Sequence, residues 1–260
     1  MKNEIKIFFT ALMFYSRIPC PKDIDHSPEY INKATRYFPL IGWIIGGISF
    51  VVFFLSVLLF DSSIAIILSL IAGVLTTGAF HEDGLADVVD GFGGGWTKQR
   101  ILEIMKDSRV GAYGAISVAL VVLLKYAALN TLTNTFSESV TIGLMFISYH
   151  SLARFTAMNL IFTSSYSRDD QTSKVKPIAK SFGFPEIFGG YFFGLLPLFV
   201  LSWFNWKFTL TLAPLFILYL FSKNYFEKKI DGYTGDCLGA VEQLAECVCL
   251  LSYVALWKFM

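Results

Sequence analysis

From about residue 38 to the C-terminus, apolar stretches follow one another with no polar segment between them long enough to fold as an aqueous domain. A membrane-crossing helix needs about 20 consecutive, mostly apolar residues. Seven stretches fit that reading: about 38–60, 63–80, 111–132, 140–163, 187–204, 206–222 and 238–257. The second is expected to continue as a helix beyond the membrane. The fifth and sixth are parted only by Phe204-Asn205-Trp206-Lys207, so a tight helical hairpin is the alternative there. Pro197 and Pro214 are expected to kink them, which membrane helices tolerate. Composition agrees. Charged residues make up 16% of the chain, against roughly a quarter in a soluble domain. The expected fold is all-α: a polytopic integral membrane bundle of about seven transmembrane helices, forming one membrane-embedded domain over residues 1–260.

The first residues do not read as a cleavable signal. Glu4 and Lys6 interrupt the apolar stretch, and Arg17-Ile18-Pro19 follows it where a small-residue cleavage site would stand. Glu4–Tyr15 instead reads as an N-terminal amphipathic helix on the membrane or packed against the bundle. The four cysteines, Cys20, Cys237, Cys247 and Cys249, have no metal-finger spacing and read as small buried hydrophobes.

Basic residues alternate from loop to loop. The N-terminal segment holds Lys2, Lys6, Arg17, Lys22, Lys33 and Arg36. The loops after the second, fourth and sixth stretches hold Lys98, Arg100, Lys106 and Arg109; Arg168, Lys174, Lys176 and Lys180; and Lys223, Lys228 and Lys229. The intervening loops carry only Lys207 and Lys258. This asymmetry predicts a cytoplasmic N-terminus and an outer C-terminus. Of the carboxylates only Asp61 and Glu138 fall outside, so any chemistry is expected on the cytoplasmic face of the cell (inner) membrane. A net charge of +1 provides no footprint for nucleic acid.

The richest polar stretch is His81-Glu82-Asp83-Gly84-Leu85-Ala86-Asp87-Val88-Val89-Asp90-Gly91. Asp83, Asp87 and Asp90 fall within roughly 60° of one another on a helix. Like charges at that spacing repel, so the stripe suggests a bound cation. Oxygen donors without His or Cys favour Mg²⁺, Mn²⁺ or Ca²⁺. A solvated acidic face is the alternative, but Gly84 and Gly91 weaken a helix by about 1 kcal/mol each and make more sense where a backbone or a phosphate comes close. His81 reads equally as a ligand or base and as a membrane-interface histidine.

Gly93-Gly94-Gly95 then reads as a flexible break, followed by a short interfacial helix from Arg100 and a polar turn. In that turn Lys106 and Arg109 are phosphate-binding types, and Asp107 could complete a metal site. Near the last stretch, Asp236 is placed to cap a helix. Glu242 and Glu246 run into apolar sequence, where acids are costly and face polar cavities. Arg154, roughly 14 Å deep in the fourth stretch, needs an acidic partner: the Asp83 stripe, or Glu242 and Glu246.

These blocks together resemble the cobalamin synthase family, also called adenosylcobinamide-GDP ribazoletransferases. The resemblance is carried by Arg17-Ile18-Pro19, by Phe38-Pro39-Leu40-Ile41-Gly42, and by His81-x-Asp83-Gly84-Leu85-Ala86-Asp87-x-x-Asp90-Gly91. It continues through Arg100-x-x-Glu103-Ile104-Met105-Lys106-Asp107-Ser108-Arg109-x-Gly111 and Thr234-Gly235-Asp236-x-Leu238-Gly239-Ala240-x-Glu242-x-x-x-Glu246. Ala245 stands where the family favours Gly. The resemblance implies an Mg²⁺-dependent transfer joining adenosylcobinamide-GDP to α-ribazole, or its 5′-phosphate, with release of GMP. It implies Asp83, Asp87 and Asp90 as the metal shell, with His81 or a carboxylate as base. Asp107 and, for substrate, Lys106, Ser108, Arg109, Arg154, Asp236, Glu242 and Glu246 are expected in the site. A homodimer is compatible with the sequence. A membrane transporter for a cation or metabolite is the rival reading, because acids in spans suit ion passage.

Overall fold

The computed structural model describes residues 2–22, 24–25, 27–136, 138–167 and 182–259. Arg168, Lys174, Lys176 and Lys180, which help orient the chain by sequence, lie outside the described residues, as do Asp23, Asp169 and Asp170. The fold is an all-helical membrane bundle. Its elements are α1 (Lys2–Tyr15), α2 (Pro28–Ala34), α3 (Phe38–Ser56), α4 (Ser62–Thr77), α5 (Phe80–Gly94) and α6 (Lys98–Ile104). They continue with α7 (Ala112–Thr135), α8 (Ser139–Thr163), α9 (Phe184–Ser202), α10 (Leu212–Ile230) and α11 (Gly235–Trp257).

Among the described residues, four segments are long and apolar enough to cross a membrane: Pro28–Ser56, Ala112–Thr135, Phe184–Ser202 and Gly235–Trp257. A fifth qualifies only if α4 and α5 count together. By length and composition, four or five of the seven expected stretches thus qualify as crossings. Of the other two expected stretches, α8 is 25 residues long but interrupts its apolar residues with His150, Arg154 and Asn159. The sixth lies further along than expected, because a 3₁₀ turn, Trp206–Thr211, takes its first residues and α10 runs on through charged sequence to Ile230. Pro214 falls in the first turn of α10, where a missing N–H costs little. Pro197 lies inside α9.

A larger correction concerns the second stretch. It does not run straight into the acidic helix. Gly78 and Ala79 both take left-handed conformations (φ 71° and 59°), and α5 leaves α4 at 86°. Arg17 fastens this corner. Its N–H donates to the carbonyl of Thr76 at 2.7 Å, and its side chain covers Gly78. After the corner α5 continues through Gly94, so the expected glycine break begins only at Gly95.

Buried α8 packs against α3, α9 and α11, and α11 packs in turn against α5 and α7. Glycines set the closest approaches. A Cβ on Gly42 or Gly46 would lie 2.6 Å from the carbonyl oxygens of His150 and Phe146, so α3 meets α8 backbone to backbone, as small residues permit in membranes. On the other side Gly84 faces the backbone of Asp236, and Gly239 faces His81. Of the two glycines read from sequence as places of close approach, Gly84 brings another backbone in, while Gly91 admits the Met105 side chain and the carbonyl of Ile101. The N-terminal helix packs on the bundle: Ile7, Ala11, Leu12 and Tyr15 are buried, and Arg36 pairs with both Glu4 and Glu186. Cys237, Cys247 and Cys249 are buried free thiols and Cys20 is partly buried.

Candidate functional site

The centre of the bundle holds an ionic network drawn from four helices. Glu242 and Glu246 project from α11 one turn apart. Arg154 of α8 approaches Glu242 Oε1 at 2.8 Å and Glu246 Oε1 at 3.7 Å, and also donates to the carbonyl of His150 at 2.9 Å. Lys125 of α7 lies 2.5 Å from Glu246 Oε2 and donates to Gln243 Oε1 at 2.6 Å. His150 Nδ1 meets Glu246 Oε1 at 2.6 Å. Gln243 passes its amide to Glu242 at 2.9 Å and to Glu82 at 3.1 Å. His81 Nδ1, at the start of α5, sits 3.6 Å from Glu242 Oε2. Arg154, Glu242, Glu246 and Lys125 are all under 5% exposed. Charges so placed persist only when each has a counter-charge, because desolvation would otherwise dominate.

Of the two partners expected for Arg154, the structure supplies Glu242 and Glu246. Lys125 and His150, to which sequence reasoning gave no role, complete the network, as do Glu82 and Gln243. An ionisable residue inside an apolar helix is itself a signal of function; Lys125 and His150 both carried it.

These residues form the floor of a cavity of about 540 Å³, walled by apolar side chains of α3, α4 and α7. His150, Glu242 and Glu246 are, among the described residues, the one set of three metal-ligating groups whose donor atoms lie within 4.8 Å of one another. Lys125 and Arg154 already supply two positive charges to those carboxylates. A metal ion there would have to displace both.

The acidic face of α5 lies beside this floor. Asp83 is exposed and Asp87 half-buried. Asp90, further along α5, is tied to α7. Its carboxylate accepts from the N–H of Gly111 at 2.7 Å and of Gly114 at 2.9 Å, anchoring the start of α7 where unpaired amides and the helix dipole favour an anion. Gly111 and Gly114 leave room for that carboxylate. The structure thus brings Asp83 and Asp87 onto one face, with Asp236 across the Gly84 contact. Thr234 rather than Asp236 caps α11, accepting from the N–H of Cys237 at 3.4 Å. Asp236, in the first turn, accepts from the Thr234 hydroxyl at 3.4 Å.

The α6–α7 turn carries Lys106, Asp107, Ser108 and Arg109. Lys106, Ser108 and Arg109 are exposed. Asp107 accepts from Arg109 Nε at 3.0 Å and Nη2 at 2.6 Å. These bonds from Arg109 hold the Asp107 carboxyl down at about 2, below the usual carboxylate range.

The model of the cobalamin-5-phosphate synthase family matches residues 7–254. The chain belongs to that family. Three of its relatives are called adenosylcobinamide-GDP ribazoletransferase. That of Shewanella frigidimarina is 45% identical over 97% of this chain and 95% of its own length. That of Shewanella oneidensis is 42% identical over 95% and 93%, and that of Shewanella amazonensis 42% over 99% and 98%. No solved structure matches. The family match takes in α5, the α6–α7 turn, and the ionic network on α7, α8 and α11.

Proposed function

We propose that this protein joins adenosylcobinamide-GDP to α-ribazole, or to its 5′-phosphate, in an Mg²⁺-dependent transfer on the cytoplasmic face of the cell membrane. Nucleotide-loop assembly in cobalamin biosynthesis is the family's work. The observation that carries the finer reading is near-full-length identity to relatives named for that transferase. In this reading the ribose 3′-oxygen of α-ribazole, a benzimidazole nucleoside, forms a bond to the cobinamide-side phosphorus. The bond from that phosphorus to the bridging oxygen breaks, and GMP leaves with the electron pair.

The donor set suits the metal. Asp83 and Asp87 offer accessible carboxylate oxygens, with Asp236 on the facing helix, and no histidine or thiol among them. They would hold Mg²⁺, which neutralises charge on the pyrophosphate. Asp90, read by resemblance as a third ligand, contributes by fixing α7 against α5. Lys106 and Ser108 hold the guanosine phosphate. Arg109 meets Asp107 through Nε and Nη2, leaving its Nη1 edge for a phosphate oxygen. His81 takes the 3′-hydroxyl proton at Nε2, which has no hydrogen-bond partner among the described residues.

The test is conversion by purified protein in lipid, with GMP and cobalamin quantified with and without Mg²⁺. Stoichiometric, Mg²⁺-dependent products that disappear in Asp83→Ala support the reading. No product from folded protein rejects it and moves attention to flux assays.

A further inference from the structure

We infer that the central cavity is the seat of the acceptor nucleoside, which enters it sideways from the bilayer. The inference rests on the transferase reading above. Three observations carry it. First, the cavity is two-faced: its walls are Ile67, Leu70 and Val74 of α4 and Val122 and Leu123 of α7, while its floor is the ionic network. Second, it opens on the apolar flank of the molecule. Leu75 and Leu123, which line it, are apolar and 69% and 61% exposed. Third, the floor holds hydrogen-bonding capacity that the protein does not use. His81 Nε2, His150 Nε2, Glu82 Oε2, Ser49 Oγ and Arg154 Nε, on residues that line the cavity, are buried atoms without a hydrogen-bond partner among the described residues. Buried polar atoms are seldom left so, because each costs about 1–3 kcal/mol.

A ligand for such a site has an apolar body and an end rich in hydroxyls. The volume lies within the range of about 300–1,000 Å³ typical of small-molecule sites. Both basic residues of the floor are already paired, Lys125 with Glu246 and Arg154 with Glu242. Glu82, Glu242 and Glu246 outnumber these two cations on the lining, so a phosphate is disfavoured there. Of the two substrates, the benzimidazole nucleoside fits this description, and the pyrophosphate of the other does not. The fused apolar ring lies between α4 and α7, and the ribose hydroxyls meet His81 and Glu82 on the floor. Any 5′-phosphate points out of the cavity, toward the exposed Asp83 side of α5. The nucleoside and the pyrophosphate thus approach α5 from different sides.

The test uses two variants that narrow the cavity without touching its floor, Val122→Trp and Leu123→Trp. Both are assayed as full chains in nanodiscs for turnover and for equilibrium binding of α-ribazole. The expected result is a KM for α-ribazole raised about tenfold or more, as when a well-buried apolar contact is lost. The KM for adenosylcobinamide-GDP should stay unchanged. Should Val122→Trp fail to fold, Leu123→Trp decides alone, because its side chain sits at the exposed rim. An unchanged KM for α-ribazole in folded Leu123→Trp overturns the inference, and so does an equal rise for both substrates. If the wild type binds α-ribazole, and Leu123→Trp weakens that binding, yet neither turns over, the site stands and the reaction assignment falls. If the wild type neither binds nor turns over, both fall.

Discussion

Arg154 and Glu242 meet at 2.8 Å with almost no solvent contact. Removing one partner of such a pair leaves the other charge buried and costs about 3–5 kcal/mol, whereas an apolar replacement of both is often neutral. Arg154→Met alone should therefore lower the unfolding temperature sharply, and the double variant Arg154→Met/Glu242→Leu should recover most of the loss; thermal unfolding in detergent reads both. Asp90 and Asp83 should separate in the same assay. Asp90→Ala removes acceptors from two amides at the start of α7 and should cost about 1–2 kcal/mol, as lost helix caps do. Asp83→Ala should leave stability unchanged and abolish Mg²⁺-dependent turnover. At this scale the sequence was informative where a residue defies its surroundings. Glu242, Glu246 and Arg154 stand in apolar helices, and that cost pointed to their pairing. Lys125 and His150 defy theirs equally, yet only the packing of α7 and α8 against α11 shows what they meet. Asp90 could not be told from Asp87 by spacing, because its partners are amides twenty-one and twenty-four residues away.

The corner between α4 and α5 decides where the acidic stripe points. Two left-handed residues in succession are expensive, and only Gly78 takes that conformation at no steric cost. Gly78→Ala would meet both the backbone penalty and the Arg17 side chain that covers the position. It should destabilise the protein by about 1–3 kcal/mol and reduce turnover by displacing α5. Unfolding and activity measured on one sample check this. Ala79→Gly, which relieves strain at φ 59°, should be neutral or stabilising. Helix boundaries elsewhere followed the apolar runs closely, except at the sixth stretch, where α10 starts at Leu212 and runs on to Ile230. The corner did not, since Gly84, Gly91 and Gly93 sit within α5 without ending it, and a glycine alone therefore gave no sign of where the helix would turn.

For the whole molecule, the alternation of Lys and Arg predicts a cytoplasmic N-terminus and an outer C-terminus. A fluorescent reporter at the N-terminus and alkaline phosphatase at the C-terminus should both be active; an inactive phosphatase would mean that an even number of spans separates the ends. The bundle architecture was legible from apolar runs, but the number of crossings was not. The reason is physical: α8 is so enclosed by its neighbours that it tolerates polar residues a lipid-facing helix would reject. The ionic network also orders events in time. Lys125 and Arg154 lie on α7 and α8, while their counter-charges Glu242 and Glu246 lie on α11, which leaves the ribosome after both. Until α11 arrives, two cations that each cost about 2.5–3.5 kcal/mol at mid-membrane wait without those carboxylates. A nascent chain halted before residue 235 is thus marked by its own unpaired charge as unfinished, and the arrival of α11 removes the mark.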